Sequence, residues 1–538
     1  MHFDWTNPYP TIRSPLFARN VVATSQPLAA QAGLQMLRAG GNAVDAAIAA
    51  AAAMTIVEPC SNGLGSDAFA LVWDGRELAG LNASGSAPAA WTPQYFARRH
   101  GDAIPIRGWD SVTVPGAVAG WAALHARFGT LPLADLLAPA IELAERGYGV
   151  GVVTADKWAR ALPALQDQPG FAAAFMPRGR APAAGERFAM PGAAATLRRI
   201  ADTGGEDFYR GETAARLVAH AAAHGGAMTA ADLAGYAPSW VEPIAIDFAG
   251  HRVHEIPPNG QGIAALMALG MLRHHDLARL PVDGADSLHL QIEAMKLAFA
   301  DTYRWVADER SMTEVSADDL LDDAYLAERA RRIDPARAQD FDAGRPRRAP
   351  RGGTIYLAAA DARGMVASFI QSNYMGFGSG IVVPGTGVSL QNRGCGFTLD
   401  AGHPNVVAPG KRPFHTIIPG FLTRAGRPVM AFGVMGGNMQ PQGHLQTLVR
   451  MLLHRQQPQA ACDAPRWKVA TGLDIDCEPT MAPALVEALR ARGHALKPTP
   501  DATMDFGSGQ FIARLSDDPD DGYVAASDSR REGQAVGF

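Results

Sequence analysis

Near the middle of the chain, Arg351-Gly352-Gly353-Thr354-Ile355-Tyr356 leads into an apolar stretch ending at Ala360. Asp361-Ala362-Arg363-Gly364 turns the chain, and Met365 to Ile370 is apolar again. The pattern predicts a loop, a strand, a tight turn and a second strand. Thr354 stands at the mouth of the first strand, behind two glycines that accept backbone conformations other residues avoid. If the Gly353–Thr354 bond were cut, Thr354 would carry both a hydroxyl and a free α-amine. A hydroxyl alone is a poor nucleophile, and an α-amine with a pKa of roughly 7.7–8.0 can serve as its base at neutral pH. No separate histidine is then needed. Taken alone, the same string reads as a Gly-rich hairpin entry with an ordinary threonine. The rest of the chain decides between the two.

The chain has 538 residues, 47% of them hydrophobic and 19% charged, which describes a globular protein with a large core. A net charge of −5 gives no reason to expect nucleic acid or an anionic membrane as partner. Cys60, Cys395, Cys462 and Cys477 share no CxxC or metal-like spacing and read as reduced thiols. Met1-His2-Phe3-Asp4-Trp5 lacks a basic n-region and an apolar h-region, so a cytoplasmic location is expected. The most apolar run, Ala43 to Val57, carries Asp45 and falls short of the roughly 20 residues that span a bilayer. It reads as a buried helix. His274 and His275 are adjacent rather than four apart, and no HExxH string occurs, so neither metal nor cofactor is expected.

Along the chain, Leu28 to Ala39 predicts a helix stopped by Gly40-Gly41, and Asn42 can cap the Ala-rich helix that follows. Ala68 to Trp73 reads as a strand, Ser287 to Ala300 as an amphipathic helix, and Ala484 to Arg492 as another helix. From Asp334 to Gly353, prolines, glycines and arginines predict a solvated, flexible linker. The whole is a mixed α/β pattern.

Several ordered strings carry a family likeness. They are Pro27-Leu28-Ala29, Gly33-Leu34, Leu37-Arg38-Ala39-Gly40-Gly41-Asn42-Ala43-Val44-Asp45-Ala46-Ala47, Val57-Glu58-Pro59 and Gly63-Leu64-Gly65. Val114-Pro115-Gly116, Glu293 to Asp301, and Ala526-Ser527-Asp528-Ser529-Arg530 continue them. Thr354, Asp361 seven residues on, and Gly378-Ser379-Gly380-Ile381-Val382 complete the series. From near residue 20 to its end the chain resembles the gamma-glutamyltranspeptidase family. The resemblance implies a four-layer αββα sandwich of the N-terminal nucleophile hydrolase type, with two antiparallel sheets between helical layers. It implies self-cleavage between Gly353 and Thr354. Residues 1–353 and 354–538 would then remain associated as two fragments of one intertwined domain. Thr354 would be the nucleophile and its α-amine the base. Ser372 takes the place of the family's second threonine, and Gly436 and Gly437 match its oxyanion loop.

The departures gather where the family recognises its substrate. Ser84 stands where glutamyl-binding members have an arginine, and Gly396 stands where they have an aspartate for the α-ammonium. His415-Thr416 replaces the paired serines. A serine cannot replace a bidentate guanidinium clamp at equal strength. Around the pocket the chain instead offers Asn392, Arg393 and Arg412 beside His415, Thr416 and Ser84. A cation without a carboxylate for an ammonium points to a small acid amide lacking an α-amino group, which resembles the oxamate amidohydrolase branch. Arg393, Arg412 and His415 are equally residues of a kind that serve structural ion pairs and hydrogen bonds. The expected protein is an amidohydrolase with a small-molecule substrate. Glutathione hydrolase or transferase activity and a non-catalytic binding role are the alternatives. A homo-oligomer is left open.

Overall fold

The computed structural model describes residues 3–341, 353–500 and 506–538. Two seven-stranded sheets form its centre. The first runs Gln534–Gly537, Val21–Thr24, Gly353–Ala360, Val366–Tyr374, Asp67–Trp73, Leu78–Ala83, Ser239–Val241. The second runs Leu16–Ala18, Tyr523–Ser527, Ser508–Arg514, Arg427–Met435, Gly420–Arg424, His251–Glu255, Ile244–Phe248. Every pairing in both is antiparallel. Each sheet mixes strands from before and after Gly353.

Strand alternation builds the layers. In Gly353–Ala360, Tyr356, Ala358 and Ala360 join a core shared with Phe421, Ala431 and Ile512 of the second sheet. Ile355, Leu357 and Ala359 join the helices on the other side. A strand buried on both faces has no polar face to show, which explains its unbroken apolar run. Helix Ala43–Val57 is buried along its whole length and begins with a capping box in which Asn42 and Asp45 exchange hydrogen bonds. Its alanines let it lie close against helix Pro27–Arg38 and the first sheet. Helices Gly262–Leu272 and Ala285–Trp305 cover the outer face of the second sheet. The expected αββα sandwich is the fold observed.

Two expectations need correction. Helix Ala285–Trp305 is not amphipathic, because every residue from 287 to 302 is buried. Its polar side chains are paired inside: Lys296 Nζ lies 2.7 Å from Glu293 Oε1, and His289 Nδ1 lies 2.8 Å from His494 Nε2. The segment opening at Asp334 is not a solvated linker from its start. Its residues 342–352 lie outside the described residues, but 334–341 are held down. His289 Nε2 meets the Asp334 carbonyl at 2.8 Å, Lys296 donates to the Gln339 carbonyl, and the Gln339 N–H donates to Glu293.

Candidate active site

Thr354 lies at the start of the Gly353–Ala360 strand, where pairing with Val366–Tyr374 slips by one residue. Gly353 faces Tyr374 and Ile355 faces Gln371, so Ser372 and Asn373 together oppose Thr354. A bulge of this kind re-aims side chains. Here it brings Thr354 Oγ1 to 3.2 Å from Ser372 Oγ, both residues being buried. The Tyr374 N–H donates to Ser372 Oγ at 2.7 Å. Tyr374 itself is held at φ +76°, a conformation costly for a residue with a side chain.

The second sheet supplies the facing wall. The Tyr356 ring packs so tightly on Gly433 that a Cβ there would come within 2.5 Å of it. Three residues on, the strand Arg427–Met435 gives way to Gly436 and Gly437, at φ +120° and +61°. Among the described residues, neither glycine's N–H donates to a protein acceptor. Successive free N–H groups in such a turn can receive an oxyanion.

Arg393 is a deeply buried charge with few partners. It is 1% exposed, its guanidinium stacks 4.4 Å over the Tyr374 ring, and Nη1 donates to Thr416 Oγ1 at 2.7 Å. Among the described residues, its Nε and Nη2 are buried without a partner. Burial pulls its pKa down to about 10. A buried cation with two idle donors is a site that an anion would complete.

Behind it lies a buried pair. His415 Nε2 is 3.1 Å from Asp67 Oδ2, and the Ile417 N–H approaches Nδ1, which leaves the ring proton on Nε2. Burial, followed by the nearby Arg393, lowers the His415 pKa well below its usual value. Burial raises Asp67 to about 7, against the opposing pull of Arg393 and the Gly85 and Gly116 amides. The His415 ring is thus engaged at both nitrogens.

The remaining sequence candidates have settled partners. Arg412 donates to the Ser84 and Ala237 carbonyls and to Ser239 Oγ. Ser84 Oγ donates to Asn82. Asn392 accepts the Met375 N–H and donates to the Ile106 carbonyl. The structure therefore brings Thr354, Ser372, Arg393 and Thr416 into one hydrogen-bonded and stacked array, with Arg412 and Asn392 bracing its surroundings.

The family model described as Gamma-glutamyltranspeptidase matches residues 29–538. The chain belongs to the gamma-glutamyltranspeptidase family. It is 37% identical to the oxamate amidohydrolase proenzyme of Klebsiella pneumoniae, over 95% of this chain and 97% of that protein. It is 34% identical to a glutathione hydrolase-like proenzyme of Bacillus subtilis, over 98% and 100%. The crystal structure of cephalosporin acylase from Bacillus halodurans superposes with a TM-score of 0.93 at 48% identity, covering 100% of this chain and 99% of that one. As a member of this family the chain is an autoprocessing N-terminal nucleophile hydrolase.

Sequence reasoning passed over several residues of this family member's site. Gln261 Nε2 donates to the carbonyls of Thr416 and Gly437, at 2.6 and 2.9 Å. Tyr303, from helix Ala285–Trp305, receives the Asn438 side-chain amide and packs on Phe414. Asp67 opens a strand of apolar residues and gave no local signal. Asn259-Gly260-Gln261-Gly262, a polar, glycine-broken string just before an apolar run, was the only hint of Gln261. Away from the site, His289, Glu293 and His494 cluster closely enough to suggest metal ligands. Lys296 already places its ammonium 2.7 Å from Glu293 Oε1 and 3.4 Å from His494 Nδ1, so a cation stands there as part of the chain. No helix among the described residues is long and apolar enough to cross a membrane.

Proposed function

We propose that the protein cuts itself between Gly353 and Thr354 and that the exposed Thr354 then hydrolyses the amide of a small carboxylic acid. In maturation the Thr354 hydroxyl attacks the Gly353 carbonyl, and water resolves the resulting ester. The new α-amine takes the hydroxyl proton as Thr354 attacks a substrate amide. The oxyanion forms against the Gly436 and Gly437 N–H groups. The proton passes to the leaving nitrogen, and water releases the acid from the acyl-enzyme. Ser372 holds the hydroxyl in place from 3.2 Å.

The observation that carries the substrate class is Arg393, a buried guanidinium whose Nε and Nη2 have no partner among the described residues and which stacks on Tyr374, at the end of the strand paired with the nucleophile's. A carboxylate one or two bonds from the amide fits it, and oxamate has that form. The likeness to an oxamate amidohydrolase supports the reading. The likeness to a cephalosporin acylase favours a second one, in which the acyl group is larger and its amide nitrogen belongs to a cephalosporin nucleus. Both readings keep Thr354 as nucleophile. The test begins with intact mass and N-terminal sequencing. A fragment starting at Thr354 is expected, and a permanently uncut chain would sink the mechanism. Ammonia release from oxamate is then compared with turnover of γ-glutamyl-p-nitroanilide and of an acylated cephalosporin. Strong turnover of the γ-glutamyl substrate would refute the pocket argument.

A further inference from the structure

We infer that Gln261 is a positioning residue that locks the oxyanion amides and the anion clamp at a set spacing. The inference rests on the Thr354, Gly436 and Gly437 reading above. Gln261 lies just ahead of the fully buried helix Gly262–Leu272, on the stretch of chain that precedes the cleavage point. Its side-chain amide has two hydrogens, and both are used across the site. One goes to the Gly437 carbonyl at 2.9 Å and the other to the Thr416 carbonyl at 2.6 Å. Its own N–H donates to the His415 carbonyl at 2.9 Å, and the His415 N–H returns to the Asn259 carbonyl at 2.9 Å, so the residue is fixed from both sides. The amide cannot be turned over, because Oε1 would then face two carbonyl oxygens.

Each contact has a consequence. The Gly437 carbonyl also receives the Gln440 N–H at 3.1 Å, so Gln261 adds a second anchor to a turn whose two glycines have little conformational preference of their own. Thr416 is the residue whose hydroxyl takes Arg393 Nη1. One side chain thus ties the loop that would hold the oxyanion to the extended His415–Thr416 segment that seats the guanidinium. The remaining atom, Gln261 Oε1, is buried without a partner among the described residues. A fold that only needed filler here would use an apolar side chain and avoid an unsatisfied carbonyl. The donors are the part of the side chain that the site requires.

The test compares wild type with Gln261→Met, which keeps the length without the donors, and Gln261→Glu, which keeps the shape. Active-site titration and thermal melting give the matured, folded fraction of each. Acylation by p-nitrophenyl acetate reports the oxyanion loop without needing an anionic substrate, and oxamate reports loop and clamp together. For Gln261→Met, kcat per active site falls 10- to 100-fold with both, and KM rises at least threefold for oxamate while it stays unchanged for the uncharged ester. Gln261→Glu recovers part of that loss towards acid pH, where its protonated carboxyl donates to one carbonyl, and loses it as pH rises. A Met variant within twofold of wild type per active site, or a Glu variant with the wild-type pH profile, overturns the inference. Should wild type ignore oxamate yet react with the ester, the substrate reading fails while the Gln261 result still stands or falls on the ester.

Discussion

Replacing Arg393 by methionine separates function from structure at one position. The substitution keeps an unbranched chain over the Tyr374 ring and removes the guanidinium. A charge-assisted hydrogen bond contributes about 1.5–3 kcal/mol, and Nε and Nη2 offer two to a bound carboxylate. Their sum is offset by the cost of stripping water from the carboxylate. If half survives, about 1.5–3 kcal/mol, kcat/KM for an anionic amide falls about 10- to 10²-fold, at about 1.4 kcal/mol for each factor of ten. Stability should behave differently. Arg393 is buried with its pKa drawn down to about 10, so the fold carries the guanidinium as a burden. Removing it relieves that burden, at the cost of the Thr416 hydroxyl's donor and of the pull that Arg393 exerts on the buried Asp67 carboxyl.

The assay follows from this contrast. Oxamate and its neutral counterpart oxamide differ in the charge that Arg393 would read. Wild type should prefer oxamate, and Arg393→Met should erase most of that preference while its melting temperature stays level or rises. Equal losses on both substrates, or a melting temperature lowered in step with activity, would show that Arg393 serves the fold and would refute the clamp.

The other predictions address different parts of the structure. The folded Asp67 pKa, about 7, lies above the ordinary carboxyl value of 3.8, so this group favours folding below pH ~4 and the contribution is lost as pH climbs through 7. Because a bound carboxylate would share Arg393 with Asp67, KM for an anionic amide should rise above pH 7, and a KM flat from pH 6 to 9 would contradict the coupling. Thr354→Ala should give one uncut, inactive chain by mass spectrometry, and a normally cut, active mutant would remove the nucleophile assignment. Lys296→Met leaves the fully buried Glu293 without its cation, so the denaturation midpoint should fall by the equivalent of about 3–5 kcal/mol. Gly433→Ala places a methyl 2.5 Å from the Tyr356 ring and should destabilise by about 1–3 kcal/mol, read by the same melt.

What could be read in advance was what is local. Thr354 behind two glycines, the hairpin after it, the Asn42 cap and the buried Ala43–Val57 helix each follow from a few neighbouring residues. The sandwich came from ordered motifs, not from periodicity, since strands and helices buried on every side lose the alternation that marks an exposed face. Ser287 to Ala300 misled for the same reason in reverse. Its polar residues mimic a solvated stripe but pair with one another and with His494, two hundred residues away. Arg393 and Arg412 were indistinguishable as letters. Only tertiary structure separates them, because one meets three acceptors and the other is left with two idle donors.

That difference bears on which substrates the site can refuse. The carboxylate closest in effect to Arg393 is Asp67, and it is already committed to His415 and to the Gly85 and Gly116 amides. Gly396, where an ammonium-binding aspartate would stand, has no side chain, and a Cβ there would come 2.9 Å from the Phe414 carbonyl. A γ-glutamyl group would therefore enter with its carboxylate matched by Arg393 and its ammonium without an anion. An unpaired buried charge costs several kcal/mol, enough to cancel the gain from the clamp. An acid amide without the amino group keeps the gain and avoids the cost. On the proposed reading, such a pocket would select as much through the carboxylate it lacks as through the guanidinium it holds.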